Sequence, residues 1–255
     1  MIPRLALAGV LGFMGWAQQS LRMGAQLHLS QSWLLNATDQ KAPPSVGLRP
    51  TYRPGLSGFF IWGWNPYWGT GIEIAYLGAG QNYYGVGLNG QNYSASIRQS
   101  YLRLATPLQA QYQWETWGLW AHIAPTFSAL VQSDYTYQGD SLLNDNLYAP
   151  QIIQNTLQYL AQSTNPEDQL ILTRLYRRWN WGLAFAGGIK SRIAPGIWVL
   201  ALLSYQRDFT DAENKRYRLS SESPAAYHPD RKPTYNQLLA IQLGIVYEIE
   251  RLPGL

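Results

Sequence analysis

With no cysteine in the chain, acid–base or nucleophilic work falls to histidine, serine and the carboxylates. Three histidines are present, His28, His122 and His228. None has a partner at i, i+4 on a helix or i, i+2 on a strand, the spacings that put two ligands on one metal. No metal and no cofactor is expected. His28-Leu29-Ser30 sets a base and a nucleophile two positions apart, so on a strand both side chains share one face. Gly85-Val86-Gly87-Leu88-Asn89-Gly90 has the form G-x-G-x-x-G. A nucleotide site would need a buried strand before it and a helix after it. Here the flanks are Tyr-rich and Asn89-Gly90 favours a type I′ hairpin turn, so these are turn glycines.

Two further sets of charged residues are candidates for function. Glu73, Arg103, His122, Arg178 and Lys190 fall opposite the apolar faces of their segments. They are expected in a shared interior as an ion-paired network, since isolated charges there would be too costly. Such a network reads as a structural plug, with a gated polar path as the alternative. The second set is acidic: Asp134, Asp140, Asp145, Glu167 and Asp168, in an insertion over residues 132–171. Pro150 opens a short helix there, to Gln162, with Ile153, Leu157 and Leu160 on one face. This insertion is the candidate contact surface.

The elements that carry these residues alternate with period two. Leu102, Leu104, Thr106, Leu108, Ala110 and Tyr112 share a face, and after a tight turn so do Trp117, Leu119, Ala121, Ile123, Pro125, Phe127, Ala129 and Val131. Arms this long are roughly twice a soluble strand and reach across a tilted bilayer crossing. Tyr112, Trp114 and Trp117 crowd the turn, where a membrane–water interface favours them. Strands are expected at residues 22–35, 56–64, 68–77, 101–112, 117–131, 172–193, 197–207 and 235–249. The connections alternate long and short, with short turns at 65–67, 113–116 and 194–196. Residues 36–55 are read as a loop, and strand 56–64, aromatic on both faces, has an ambiguous register. Beyond residue 77 a polar hairpin is expected to continue past the membrane. Pro107 and Pro125 fall inside strands, where each removes a ladder hydrogen bond.

Eleven Trp and eighteen Tyr stand beside 13% charged residues, and the formal net charge is +4. The charges are scattered with both signs mixed, which argues against nucleic acid as a partner. Mean hydropathy is negative at −0.23, as alternation allows in a membrane barrel. Residues 1–17 read as a signal peptide: Arg4, an apolar run over 5–16, and Gly15-Trp16-Ala17 before Gln18. Residues 18–255 then form a single domain. The fold expected is all-β: an eight-stranded antiparallel up-and-down transmembrane β-barrel with long extracellular loops and short periplasmic turns. A soluble sandwich or lipocalin-like barrel would bury its aromatics inward and would not sort its loops by length.

Tyr101-Leu102-Arg103-Leu104-Ala105-Thr106-Pro107-Leu108 resembles a strand start of the Bacteroidetes outer-membrane β-barrel family called PorT-like. Gly71-Ile72-Glu73-Ile74-Ala75-Tyr76, the Gly-rich segment 182–188 and Ser204-Tyr205-Gln206-Arg207-Asp208-Phe209-Thr210-Asp211 are similar to other parts of that family. The chain departs from it in the length of 132–171 and in having residues 250–255 after the last strand, with Tyr247 in place of a terminal aromatic. The resemblance implies an integral protein of the bacterial outer membrane, surrounded by lipopolysaccharide and phospholipid. His28-Leu29-Ser30 is in turn similar to the His-x-Ser pair of outer-membrane lipid A deacylases, though Leu27 and Leu29 take the lipid-facing side here. The function expected is a non-enzymatic structural or docking subunit, its partner a larger outer-membrane protein. A lipid-modifying enzyme and a narrow solute channel are the alternatives.

Overall fold

The computed structural model describes residues 20–36, 46–86, 92–138, 176–212 and 234–249. The signal segment, Asn89-Gly90, the 150–162 helix and His228 lie outside them. Nine antiparallel strands run in chain order: β1 Ser20–Asn36, β2 Val46–Gly63, β3 Trp68–Val86, β4 Asn92–Ala105, β5 Leu108–Gln113, β6 Trp117–Gln138, β7 Trp179–Ala194, β8 Ile197–Asp208 and β9 Thr234–Ile249. Strands adjacent in the sheet pair with one another and β1 pairs with β9, so the sheet closes on itself. β4 and β5 together fill one position between β3 and β6, giving a ring of eight.

Following paired residues around the ring measures its shear. Leu21 pairs with Trp62, then the path runs Thr70, Leu108, Ile123, Phe185, Tyr205, Leu239, and returns to β1 at Gln31, ten residues from its start. A shear of ten over eight strands tilts them by about 40°, within the range of membrane barrels.

Alternation sorts the wall into two faces. Outward stand Leu27, Leu29, Phe60, Ile72, Ile74, Leu102, Leu104, Leu119, Phe185, Ile189, Leu203, Ile241, Leu243 and Ile245, all exposed. Inward stand Arg22, Gln26, His28, Glu73, Gln109, Lys190, Gln242 and Glu248, all buried. A water-soluble protein would not leave so continuous an apolar band exposed, and the inversion fits a bilayer. The aromatic strand β2 resolves cleanly, with Phe59 and Ile61 inward and Phe60 and Trp62 outward. Phe59 has room because Gly24 lies opposite: a Cβ on Gly24 would meet the Phe59 ring at 2.6 Å. At the short-turn end Trp114 and Trp117 stack at 3.9 Å and Tyr112 meets Trp114 at 4.5 Å.

The two prolines sit side by side where the fourth wall position breaks. Thr106 and Pro107 belong to no strand, yet the register on both sides of the gap is the same. Thr106 N–H donates to the Pro125 carbonyl and Gly71 N–H to the Pro107 carbonyl, both at 3.2 Å. Each ring nitrogen lacks the return donor, so two ladder bonds are missing at one height while the closure holds.

Four strands continue past the belt: β3 and β4 as the expected polar hairpin, β2 and β6 further than the sequence pattern indicates. β2 begins at Val46, which shortens the expected 36–55 loop; β3 reaches Val86; β4 begins at Asn92; and β6 reaches Gln138. Their ladders run from Val46↔Gly85 through Val86↔Asn92 to Ser94↔Gln138. Irregularities mark the departure: a register shift between Pro50 and Leu56 on β2, another between Ser100 and Tyr101 on β4, and Gly80 at φ 144 on β3. A Cβ on Gly80 would run into the Ile97 carbonyl. β7 begins at Trp179, later than the expected strand at 172–193.

Candidate functional site

The interior is built in layers, legible along the inward positions of single strands. β9 reads Glu248, Val246, Gly244, Gln242, Ala240, Leu238, Asn236 from the short-turn end upward, and β8 reads Trp198, Leu200, Leu202, Ser204, Gln206, Asp208. Polar and apolar positions are therefore stacked in blocks along the axis.

At the base Glu248 sits between two cations. Arg22 Nε donates to Glu248 Oε1 at 2.7 Å and Lys190 Nζ to Oε2 at 3.1 Å. The remaining donors are taken by neutral acceptors: Arg22 to Gln109 Oε1 and Ser20 Oγ, Lys190 to Gln111 and Gln113 Oε1. Gln111 Nε2 donates to Glu248 Oε1 at 3.1 Å. The Lys190 ammonium also lies 4.2 Å from the centre of the Trp198 ring. Above this layer Phe59, Ile61, Trp120, Trp198, Leu200, Leu202 and Val246 pack as an apolar plug.

A second network lies above the plug. Arg103 Nη2 donates to Glu73 Oε1 at 2.6 Å and Nη1 to Gln206 Oε1 at 2.7 Å. Gln206 passes the chain to Asp208, whose other oxygen accepts from Asn236, and Asn236 also donates to the Tyr101 hydroxyl. Here one cation serves two carboxylates, the reverse of the base. Across the two layers three cations face three carboxylates, Asp208 being reached through Gln206.

Of the five residues expected in this interior, Glu73, Arg103 and Lys190 are buried in the two networks. His122 is half-buried on the same face. Arg178 is not interior: its carbonyl still accepts from Leu130 N–H, but the chain bends there before β7 begins, and its exposed guanidinium lies over the Trp179 ring at 5.4 Å. Arg22, Glu248 and Asp208 were missed as network members. Alternation marks them, since Arg22 shares its face with Gln26 and His28, and Glu248 with Gln242. In the acidic set Asp134 is not in a loop but on β6, opposite Arg98. Asp140, Asp145, Glu167 and Asp168 lie outside the described residues.

The His28-Leu29-Ser30 pair is turned inward, and its two members are not bonded to each other. Ser30 Oγ donates to the Arg53 carbonyl at 2.9 Å, while His28 Nε2 is hydrogen-bonded to Ser57 Oγ at 2.8 Å. Ser30 and His28 are 1% and 3% exposed, so neither reaches the bilayer. Among the described residues no three of His, Cys, Asp or Glu converge as a metal site.

No family model and no curated protein matches the chain. Solved structures it is similar to include the outer membrane protein OprG from Pseudomonas aeruginosa, at 12% identity over 92% of this chain and 97% of that one, TM-score 0.43. Ail, the attachment invasion locus protein of Yersinia pestis, is similar at 9% identity over 91% and 99%, TM-score 0.35. The outer membrane protease OmpT from Escherichia coli is similar at 8% identity over 90% and 97%, TM-score 0.33. The assignment of fold and place rests on the ring, its belt and its connections. Together they make the chain an integral eight-position β-barrel of the bacterial outer membrane.

Proposed function

We propose that this barrel is a non-enzymatic structural or docking subunit of an outer-membrane complex, acting through what it presents on the long-loop side. The observation that carries the reading is a filled interior beneath a sheet that outgrows the membrane. Trp198, Leu200, Arg22 and Lys190 are each at most 1% exposed, which supports an interior filled by side chains among the described residues. A barrel filled in this way works through what it presents outside. β2, β3, β4 and β6 present a four-stranded extension on the long-loop side, and the 132–171 segment continues from its last strand. The contact surface proposed is this extension with Asp134 on it, together with Asp140, Asp145, Glu167 and Asp168. The partner proposed is a larger outer-membrane protein.

The test is photocrosslinking in intact outer membranes. A crosslinking amino acid at exposed Thr136 on the extension is compared with one at lipid-facing Leu243. One larger outer-membrane protein captured from position 136 and not from 243 supports docking. Recovery of the barrel alone from both positions rejects it.

A further inference from the structure

The upper wall sorts its charges in one sector. On β8 Asp208 points inward and is 2% exposed, whereas Arg207 beside it points outward and is exposed. Just past the strand Asp211 is also buried, accepting a hydrogen bond from Thr234 N–H. On the entry to β7 Arg178 is exposed and Arg177 half-exposed. Among the described residues of this sector the carboxylates are turned away and the guanidiniums of Arg178 and Arg207 are turned out. None of the three arginines belongs to an ion pair among the described residues.

The same sector carries a run of aromatic contacts across four strands. Phe127 on β6 stacks on Trp179 at 5.2 Å, Trp181 on β7 meets Phe209, just past β8, at 5.1 Å, and Tyr235, the second residue of β9, lies near Arg207. Arg178 lies over Trp179, and Arg207 lies 5.8 Å from the Tyr235 ring centre. Trp179, Trp181 and Phe209 are 44–56% exposed and stand at the long-loop end of the apolar belt. Interfacial aromatics sit at headgroup depth. Arg207 pairs with Leu183, five residues along β7 from Arg178, so the two exposed arginines stand at opposite ends of this run, flanking the aromatic surface.

We infer that Arg178 and Arg207, with Trp179, Trp181, Phe209 and Tyr235, form a binding site for an anionic lipid phosphate. Guanidinium matches phosphate in charge and in bidentate geometry, and the aromatic surface between the arginines suits acyl chains and the sugar or glycerol above them. The headgroup of a lipopolysaccharide or of an acidic phospholipid would supply that phosphate. Its residues are distinct from the proposed docking residues on the extension of β2, β3, β4 and β6 and in the 132–171 segment.

The experiment counts lipids retained by the full chain in native mass spectrometry. The probes are diphosphoryl lipid A, phosphatidylglycerol and zwitterionic phosphatidylcholine. Both anionic lipids should be retained over phosphatidylcholine, and Arg178→Gln/Arg207→Gln should weaken that retention by about tenfold or more. Retention of phosphatidylcholine should not change. Lipid A ahead of phosphatidylglycerol identifies lipopolysaccharide as the source, and equal retention identifies acidic phospholipid. Heat-modifiable migration reports that the variant has folded. Arg178→Lys/Arg207→Lys, which keeps the charge and loses the fork, should be intermediate. No preference for anionic lipid, or unchanged retention in the double Gln variant, overturns the site. So does loss of a crosslinked protein with lipid retention intact, which would reassign the arginines to protein contact.

Discussion

Glu248→Gln isolates what the base layer is worth. Glu248 is the one carboxylate bonded to both Arg22 and Lys190, whose side chains are 0% and 1% exposed. Removing one partner of a buried pair costs about 3–5 kcal/mol, because it leaves charge uncompensated in a poorly solvated site. Several features place this variant at the low end. Glutamine keeps one carbonyl acceptor, Arg22 keeps Gln109 and Ser20, and Lys190 keeps Gln111, Gln113 and the Trp198 face. The expected loss is therefore about 3 kcal/mol, a large part of a typical domain's stability. It would be read from reversible urea unfolding in lipid vesicles, followed by the fluorescence of the eleven tryptophans. A second variant separates charge balance from packing: Glu248→Gln/Lys190→Met removes a surplus cation too, and should recover at least half of the loss. A cost below about 1 kcal/mol for the single variant, or further loss in the double, would refute the view that this layer holds together by charge.

Other expectations follow from single observations. Pro107→Ala and Pro125→Ala each return a ladder donor in a wall without water. Each should stabilise by about 1 kcal/mol in the same unfolding assay, and destabilisation by both would show the gap to be needed. Gly80→Ala meets both a positive φ and the Ile97 carbonyl, so it should cost more than about 1 kcal/mol; a neutral result would mean the β3 kink is not fixed. His28→Ala and Ser30→Ala should leave the lipid A profile of the outer membrane unchanged by mass spectrometry, since both side chains face the interior. Planar bilayer recordings of the full chain should show no discrete conductance, and a stable single-channel step would contradict the plug of Trp198 and Leu200.

The belt was legible because a bilayer forces contrast between faces. Leu27 and Leu29 against His28 and Ser30 is a pattern that only one register satisfies. Where the wall leaves the bilayer both faces meet water and the contrast goes. Residues 78–86 and 92–100 carry Gly, Ser, Gln, Asn and Tyr on either side, so the sequence shows a polar hairpin there without fixing which face turns inward. Pro50 and Pro54 hid the start of β2, although Leu29 pairs directly with Pro54. Arg178 was misplaced by extending alternation one residue beyond the ladder. Asp134 was misplaced by ending β6 where its apolar face ends. Arg22 and Glu248 could have been joined, but nothing in sequence tells which inward charges of strands far apart in the chain meet; ring closure of β1 on β9 decides that.

That closure also explains why the charges are distributed as they are. Arg22 and Glu248 sit opposite each other on β1 and β9, the first and last strands, so their ion pair bridges the seam at which the ring closes. Arg103 and Glu73 bridge β4 to β3, at the wall position weakened just below by Pro107 and Pro125. Two of the three interior ion pairs thus lie at places where the backbone ladder has a special burden, one topological and one from missing donors. Lys190 then ties β7 to the closing seam through the same carboxylate. An interior organised this way is suited to holding the wall shut, since conduction would have to break the contacts that close it. The parts of the chain left free to vary in role are the outward arginines of β7 and β8 and the extension above β2, β3, β4 and β6, and function is most sensibly sought there.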